Sequence, residues 1–253
     1  MCIKLLLTGL VEVVYYHSVY LSDKFMQTRQ EQLLGLVIDN YVATAEPVGS
    51  RFLVEKAGLD WSEATVRNEL RELEEQGYLT HPHTSAGRLP TLKGYQHYLS
   101  TINFEDLKLA TAESGALEKS LEVESEYQAA RKNLAKTIVE LSHETVLIAF
   151  SSDFVYYTGL SNLFQKPDFA DQHLVVDVSE VFDRCEEFIA SFFDEVTDEP
   201  QFFLGDEHPF GEMLSIVSMR FGRNGESLIA LLGPQRMDYK HNYELMQKAR
   251  ELI

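Results

Sequence analysis

Hydrogen-bond donors are concentrated in the segment that follows Ser62, EATVRNELRELEEQ. Thr65, Arg67, Asn68 and Arg71 fall outside its apolar positions, so a helix there would present them to solvent. An arginine can donate two hydrogen bonds to the major-groove edge of guanine, and an asparagine can bind adenine similarly. The residue types therefore suit a surface that reads base pairs. A second explanation is open, namely that the two arginines only pair with glutamates at helical spacing.

The stretch from Gln76 to Phe104 contains no aspartate or glutamate, although the whole chain has a formal net charge of −18. It carries Arg88 and Lys93, and the loop before them supplies Thr84, Ser85 and glycine amides. Hydroxyl, amide and cationic donors of this kind bind phosphate, whereas a neighbouring acid would repel the DNA backbone. We therefore expect this stretch to contact phosphates.

Other kinds of site have little support in the sequence. His81 and His83 alternate on a predicted strand, but no Cys or acid stands near them in sequence to complete a metal site. The segment Gly159-Leu160-Ser161-Asn162 lacks the second glycine of a nucleophile elbow, and no nucleotide-binding glycine loop is present. We therefore expect no metal, no cofactor and no enzymatic activity.

Apolar spacing and capping signals predict three helices in the N-terminal part. Residues 28–44 place apolar side chains on one side of a helix. Ser50 begins a second, short helix that Gly58 ends, and Ser62 caps a third helix that Gly77 ends. The third helix is the one that carries the base-reading donors.

The period of the pattern changes after the third helix. Residues 78–81 and 88–90 are predicted to be two strands around a loop. Thr91 is then expected to cap a helix that runs to Ile102. Three helices followed by a small hairpin is the order of a winged helix-turn-helix domain.

Residues 105–144 are acidic and are predicted to be helical. Their apolar side chains recur near heptad spacing, which leaves open a dimer-forming coiled coil or a helix laid on a domain of the same chain. The predicted strands that follow are TVLIAFS, HLVVDVS and PQFFLG, with FDRCEEFIASFFDEV as a helix between the last two.

The end of the chain predicts an antiparallel sheet and a terminal helix. Two apolar runs, LSIVSMRF and SLIALLG, flank Asn224-Gly225, which is a strong hairpin signal. A final helix is expected from about Asp238 to Ile253. The C-terminal part is therefore predicted to be an α+β domain.

Charge also divides the chain into two parts. Residues 26–100 hold seven Lys and Arg against ten Asp and Glu, whereas residues 101–253 hold 13 against 28. With 45% hydrophobic and 25% charged residues, the composition is typical of a globular protein. The two cysteines, Cys2 and Cys185, indicate neither a disulfide framework nor a zinc cluster, so we expect a cytoplasmic protein.

Residues 1–25 form an apolar extension that Glu12 and His17 interrupt. They match neither a membrane-spanning helix nor a signal peptide, because the run is broken and no cleavage site follows. Their alternation of apolar and β-branched residues equally suits an extra strand or hairpin. Met26 stands directly before a well-formed predicted helix, so we hypothesise that the true start is Met26. An intact-mass measurement showing residues 1–25 on the native protein would exclude that start.

Three separated segments of the sequence match motifs of one known family. The first comprises AEPVGSR, SEATVRNELRELEEQGYL and HTSAGRLPTLKGYQHYL; the others are GLSNLFQKPDF (Gly159–Phe169) and GPQRMDY (Gly233–Tyr239). They resemble the HrcA family of bacterial heat-inducible transcription repressors. The first resembles the family's N-terminal DNA-binding domain, and the other two resemble its GAF-like C-terminal domain.

The resemblance implies a winged helix-turn-helix domain over residues 26–104, a linking helix over 105–144 and a trimmed GAF-like domain over 145–253. It implies a homodimeric repressor that binds an inverted-repeat operator of chaperone genes and is kept active by a chaperonin. The residues expected to contact DNA are Ser50, Arg51, Ser62, Thr65, Arg67, Asn68, Arg71, Thr84, Ser85, Arg88 and Lys93.

Two departures from the family pattern bear on these expectations. Family members carry a long segment with an inserted dimerising domain before the GLSNL motif, whereas TVLIAFSSDFVYYTGLSNL is continuous here. Gln96 stands in GYQHYL where the family has arginine, which removes one cation from the DNA-facing region. An alternative function is a GAF-like module that senses a ligand or partner and no longer represses.

Overall fold

The fold is known from a computed structural model of the chain. The residues that the structure describes are 28–56, 58–83, 86–151 and 154–253. The predictions for the extension 1–25 and for Thr84 and Ser85 therefore lie outside the described residues. Within the described ranges, none of the helices combines the length and the apolar character needed to cross a membrane.

In the described ranges between residues 28 and 101, the N-terminal part folds as four helices and a short hairpin. Its elements are α1 (Thr28–Thr44), α2 (Ser50–Lys56), α3 (Glu63–Glu75), β1 (Leu79–Thr80), β2 (Leu89–Pro90) and α4 (Leu92–Thr101). The Ser62 hydroxyl accepts a hydrogen bond from the backbone N–H of Thr65, and the Thr91 hydroxyl accepts one from that of Gly94. Both predicted N-caps are confirmed, so the helix starts follow from local sequence.

These helices bury one face each against a common apolar cluster. Leu33 and Val37 of α1, Val66 and Leu70 of α3 and Tyr95 of α4 are all buried. The positions that were apolar by spacing are therefore the ones that pack, and the opposite face of α3 is left to solvent.

Residues 105–144 form two helices rather than one, α5 (Thr111–Glu122) and α6 (Tyr127–Ser142), after a 3-10 turn at Phe104–Asp106. The Glu126 carboxylate accepts hydrogen bonds from the first N–H groups of α6 and so starts the second helix. Leu134 and Ile138 are fully buried in the same cluster as residues of the sheet. These two near-heptad positions therefore pack against the chain's own sheet, whereas Tyr127, the first of the set, is 46% exposed.

Five strands form one antiparallel sheet in the order β4-β3-β7-β6-β5. The strands are β3 (Thr145–Ser151), β4 (Phe154–Thr158), β5 (Gln201–Leu204), β6 (Leu214–Phe221) and β7 (Ser227–Pro234). The turn around Asn224-Gly225 joins β6 to β7 with Phe221 opposite Ser227, as predicted. The α+β class with an antiparallel sheet is confirmed.

The remaining helices are α7 (Leu160–Gln165), α8 (Gln172–Asp183), α9 (Cys185–Phe192) and α10 (Tyr239–Leu252), with 3-10 turns at Pro167–Phe169, Phe193–Glu195 and Gly205–Glu207. The prediction of a strand at HLVVDVS was wrong, because these residues belong to α8. Asp171 caps α8 by accepting from the His173 N–H, and Val178 and Phe182 are buried one turn apart. The N-cap and the burial of one helix face outweigh the strand preference of the valines.

Helices cover both faces of the sheet, because alternate strand residues point in opposite directions. Val146 and Ile148 of β3 join a cluster that also contains residues of α1 to α6 and α10. Leu147 and Ala149 join a second cluster with α7, α8 and α9. The N-terminal helices therefore share a continuous apolar cluster with one face of the sheet.

Candidate nucleic-acid interface

The predicted base-reading residues lie together on the outer side of α3. The side chains of Arg67 and Arg71 are 69% and 65% exposed, and Asn68 and Ser62 are exposed as well. Thr65 is half-buried because its hydroxyl shares the cap with the Ser62 hydroxyl at 2.9 Å. The exposed face of one capped helix therefore carries hydroxyl, amide and guanidinium donors side by side.

Both arginines on this face are paired with glutamates of the same helix. Arg67 Nη2 lies 2.5 Å from Glu63 Oε1, and Arg71 Nε lies 3.6 Å from Glu75 Oε1, each one turn apart. Exposed pairs at this spacing contribute only about 0.3–0.5 kcal/mol. The intrahelical pairing is therefore present, yet it is weak enough to exchange for another anion.

The two candidates on α2 approach the start of α3. The Ser50 hydroxyl donates to Glu63 Oε1 at 3.3 Å, so it shares this carboxylate with Arg67. Arg51 is 78% exposed and its Nε donates to Glu55 Oε1 at 2.8 Å. Ser50, Arg51 and Arg67 therefore form one group at the N-terminal end of α3.

Arg88 lies at the opposite end of α3 and is largely enclosed by protein. Its side chain is 21% exposed, with Nη2 2.7 Å from Glu74 Oε2, and His81 Nδ1 contacts the other oxygen of the same carboxylate. The Arg88 backbone exchanges hydrogen bonds with Val48 at 2.8 and 2.9 Å. The hairpin that lacks acids in sequence is therefore held in space by an acid of α3.

Lys93 also contacts the protein near the hairpin. Its Nζ donates to the Gln76 carbonyl at 3.3 Å and lies 4.3 Å from the centre of the Tyr78 ring. Arg88 and Lys93 thus contribute to the packing of the hairpin onto α3 and α4, whereas the arginines of α3 extend into solvent.

The two C-terminal motifs converge on Glu144, which sequence reasoning missed. Its side chain is 2% exposed and contacts Lys166 Nζ. A Cβ at Gly233 would collide with this carboxylate, and a Cβ at Gly159 would lie 2.7 Å from the Glu144 carbonyl oxygen. Both motif glycines therefore leave room for Glu144. Burial raises the pKa of Glu144 to about 7, against the lowering effect of Lys166.

A second buried ion pair joins the same two motifs to the N-terminal part. Arg236 Nε donates to Asp168 Oδ1 at 2.9 Å, and its Nη2 lies 2.7 Å from Oδ2. The third nitrogen, Nη1, donates to the Val42 carbonyl of α1 at 3.2 Å. The sequence signal was that three of the four residues in these two pairs, Lys166, Asp168 and Arg236, stand inside the segments QKPDF and GPQRMDY.

An open crevice lies at the β6–β7 turn, in the acidic C-terminal part of the chain. It has a volume of about 490 Å³ and is lined by residues that include Arg220, Arg223 and Arg250. Arg250 is paired there with Glu199 at 2.5 Å, and the Arg220 Nε is buried without a hydrogen-bond partner among the described residues. Three arginines and Asp198 thus line this crevice.

Two curated proteins similar in sequence to this chain are repressors by name. The heat-inducible transcription repressor HrcA of Desulforudis audaxviator is 44% identical over 110 residues, which are 44% of this chain and 30% of that protein. The protein of the same name from Acetivibrio thermocellus is 53% identical over 78 residues, 31% of this chain and 22% of that protein. The chain thus matches about a third or less of the length of these curated relatives.

A solved structure supports the fold along most of the chain. The chain described as "Crystal structure of a hypothetical protein at 2.2 A resolution" superimposes with a TM-score of 0.71 at 17% identity, covering 90% of this chain and 97% of that one. The family described as "HrcA protein C terminal domain" matches residues 91–242, which is more than half of the chain. From this match, and from the motif residues gathered around Glu144, it follows that the chain belongs to the HrcA family.

Proposed function

We propose that the chain is a DNA-binding transcription repressor of heat-shock genes that recognises an inverted-repeat operator as a homodimer. In this proposal α1 to α4 and the β1–β2 hairpin form a winged helix-turn-helix domain. Residues 145–253 form a GAF-like domain, and α5 and α6 connect the two parts. The observation that supports it most is the donor face of α3, a capped helix with its apolar side buried and its arginines exposed to solvent.

The dimensions and chemistry of α3 suit the major groove. Its 13 residues make a rod of about 20 Å, and a single α-helix fits the width of that groove. Asn68 and Arg67 carry the donors that discriminate adenine and guanine, and Thr65 and Ser62 suit phosphate oxygens near the helix start. We assign base reading to Arg67, Asn68 and Arg71.

Binding would exchange the intrahelical ion pairs for contacts with DNA. The guanidinium of Arg67 is held near the helix surface by Glu63, and a phosphate or a guanine edge can instead accept two parallel hydrogen bonds from it. Each cation that contacts a phosphate releases counterions, so affinity should fall with salt, whereas the net charge of −18 opposes DNA at long range by a repulsion that salt screens. Ser50 and Arg51 would follow the same exchange at the start of α3.

Arg88 and Lys93 have a supporting part in the proposal. Because Arg88 is paired with Glu74 and hydrogen-bonded to Val48, it fixes the hairpin beside α3. The loop between the strands, with Thr84 and Ser85, would then supply the phosphate contacts. The chaperonin partner implied by the family belongs to the same proposal and would act on the C-terminal part.

A second candidate is a ligand-sensing module without repression. The arginine-lined crevice at the β6–β7 turn favours an anionic small molecule for such a role. The two candidates differ in their need for DNA, so the operator experiment separates them.

The direct test is equilibrium binding to DNA selected from a random pool by the full chain. Arg67→Ala and Asn68→Ala should weaken binding by about 1–3 kcal/mol each and relax the base preference at one position. Arg184→Ala is a matched control. Arg184 lies between α8 and α9, away from α3, and it too is paired with a glutamate one turn away, Glu187, at 2.7 Å.

Binding of Arg67→Ala and Asn68→Ala at wild-type affinity would remove the proposed role of α3. Failure of the random pool to yield any inverted repeat would remove the operator and favour the ligand-sensing candidate. Arg88→Ala should also weaken binding, through a displaced hairpin.

A further inference from the structure

The Arg236 guanidinium joins the sheet to the end of α1. Two of its nitrogens engage Asp168, at 2.9 and 2.7 Å, and the third donates to the Val42 carbonyl at 3.2 Å. Arg236 and Asp168 are only 12% and 15% exposed. Val42 stands in the last turn of α1, where carbonyls lack helical partners and a cation is favourable. All three nitrogens of the guanidinium therefore contact a partner.

The contacts around this group hold the same two parts together. Lys240 Nζ lies 3.3 Å from Asp39 of α1 and 5.1 Å from the centre of the Tyr98 ring of α4. The rings of Tyr95 and Tyr239 are 5.7 Å apart across the junction. Polar and aromatic contacts thus surround the buried Arg236, so that it lies within a defined junction.

A rigid path leads from this junction to the proposed DNA-reading helix. At the other end of α1, the buried Gln30 donates to Glu72 of α3 at 2.9 Å, and Arg29 lies 3.5 Å from Glu69 of α3. A helix transmits a rotation along its length because its hydrogen bonds are internal. The orientation of α1 on the sheet therefore sets the orientation of α3.

We propose that Arg236 and Asp168 are positioning residues that fix the angle between the α3-bearing part and the sheet, and so set the half-site spacing that the dimer accepts. The proposal rests on the repressor function proposed above. In a two-fold dimer, the separation of the two reading helices must match the separation of the operator half-sites. A junction held by a three-way guanidinium contact allows one separation, whereas a loosened junction allows several.

The spacing preference can be measured with a series of duplexes. The half-sites of the selected operator are separated by added or removed base pairs, and a duplex with one half-site measures local recognition. Wild type should lose about tenfold or more in affinity when the spacing changes. Arg236→Gln and Arg236→Lys should bind the single half-site as wild type does, yet discriminate spacings by about twofold or less. Lysine retains the charge but not the planar fork.

Arg184→Gln is the control variant and should keep the wild-type spacing profile. An unchanged spacing profile in Arg236→Gln and Arg236→Lys would overturn the proposal, as would a wild type without spacing preference. If the wild-type protein bound no DNA, this result would instead refute the repressor function. If Arg236→Gln unfolds, Asp39→Asn still tests the junction, because it weakens the Lys240 contact across it and should partly flatten the profile.

Discussion

Two sets of ion pairs in this protein have the same chemistry and opposite surroundings. On α3, Arg67–Glu63 and Arg71–Glu75 stand in solvent with side chains 43–69% exposed. Away from α3, the side chains of the pairs Arg236–Asp168 and Lys166–Glu144 are at most 18% exposed. Solvent makes the first set exchangeable, and burial makes the second set a fixed part of the fold. Recognition and positioning are thus separated by burial rather than by residue type.

The largest difference is expected when one partner of each kind is removed. Arg236→Gln leaves the Asp168 carboxylate buried without its cation and should lower the free energy of unfolding by about 3–5 kcal/mol. Arg67→Gln should change it by about 0.5 kcal/mol or less. Urea denaturation measures both, and equal losses in the two variants would contradict the comparison.

The glycines around Glu144 should be nearly as sensitive. Gly159 has a φ of +87° and no space for a Cβ, so Gly159→Ala should cost roughly 3 kcal/mol through strain and overpacking. Gly115→Ala is the matched control, because nothing lies within 4 Å of its Cβ position in α5, and it should stabilise slightly. A Gly159→Ala protein as stable as wild type would show that Glu144 is not tightly enclosed.

The buried carboxyl should also make stability depend on pH. The pKa of Glu144 is raised from 4.5 to about 7, so the folded state binds the proton more tightly than the unfolded state. Glu144 contributes about 3 kcal/mol to the free energy of unfolding, and this contribution is complete below pH 4.5. It is lost as the pH rises through 7. Glu144→Gln should remove this decline.

Glu118→Gln provides the control for that titration. Hydrogen bonding to Lys248 lowers the pKa of Glu118, so its effect belongs to the acidic side of 4.5. Unfolding measured from pH 5 to pH 8 should therefore keep the wild-type slope in this variant. A decline that persists in Glu144→Gln would assign it to another group.

The smallest effect concerns the exchangeable pairs. Glu63→Gln removes the negative charge that holds Arg67 and that lies near the proposed phosphate path, so operator binding should tighten by about twofold to threefold. Glu187→Gln, which breaks the exposed pair with Arg184, should leave binding unchanged. Weaker binding by Glu63→Gln would mean that Glu63 positions Arg67 for DNA.

Sequence reasoning succeeded where structure depends on neighbouring residues. The Ser62 and Thr91 caps, the buried face of α3 and the Asn224-Gly225 turn were all predictable because each is local. The strand β4 was not predicted, and HLVVDVS was assigned to the wrong element, because β-branched residues suit both buried strands and helix faces. The exposed donors of α3 needed only helical periodicity.

The buried pairs were beyond such reasoning because each joins distant segments. Asp168 and Arg236 are separated by 68 residues, and Arg236 and Val42 by 194. The pairing of Arg88 with Glu74 similarly needs the hairpin to fold back on α3. The lack of acids between Gln76 and Phe104 in the sequence therefore did not mean that no acid contacts this stretch in the folded protein.

The apolar cluster that joins α1–α4 to one face of the sheet has a thermal consequence. Leu33, Tyr95, Ile148 and Val217 belong to one uninterrupted set of buried side chains. Exposure of either part to water would uncover the other, so the two should melt in one cooperative transition. Warming would then abolish the α3 surface and the sheet at the same temperature, although the charge pattern divides the chain into two halves.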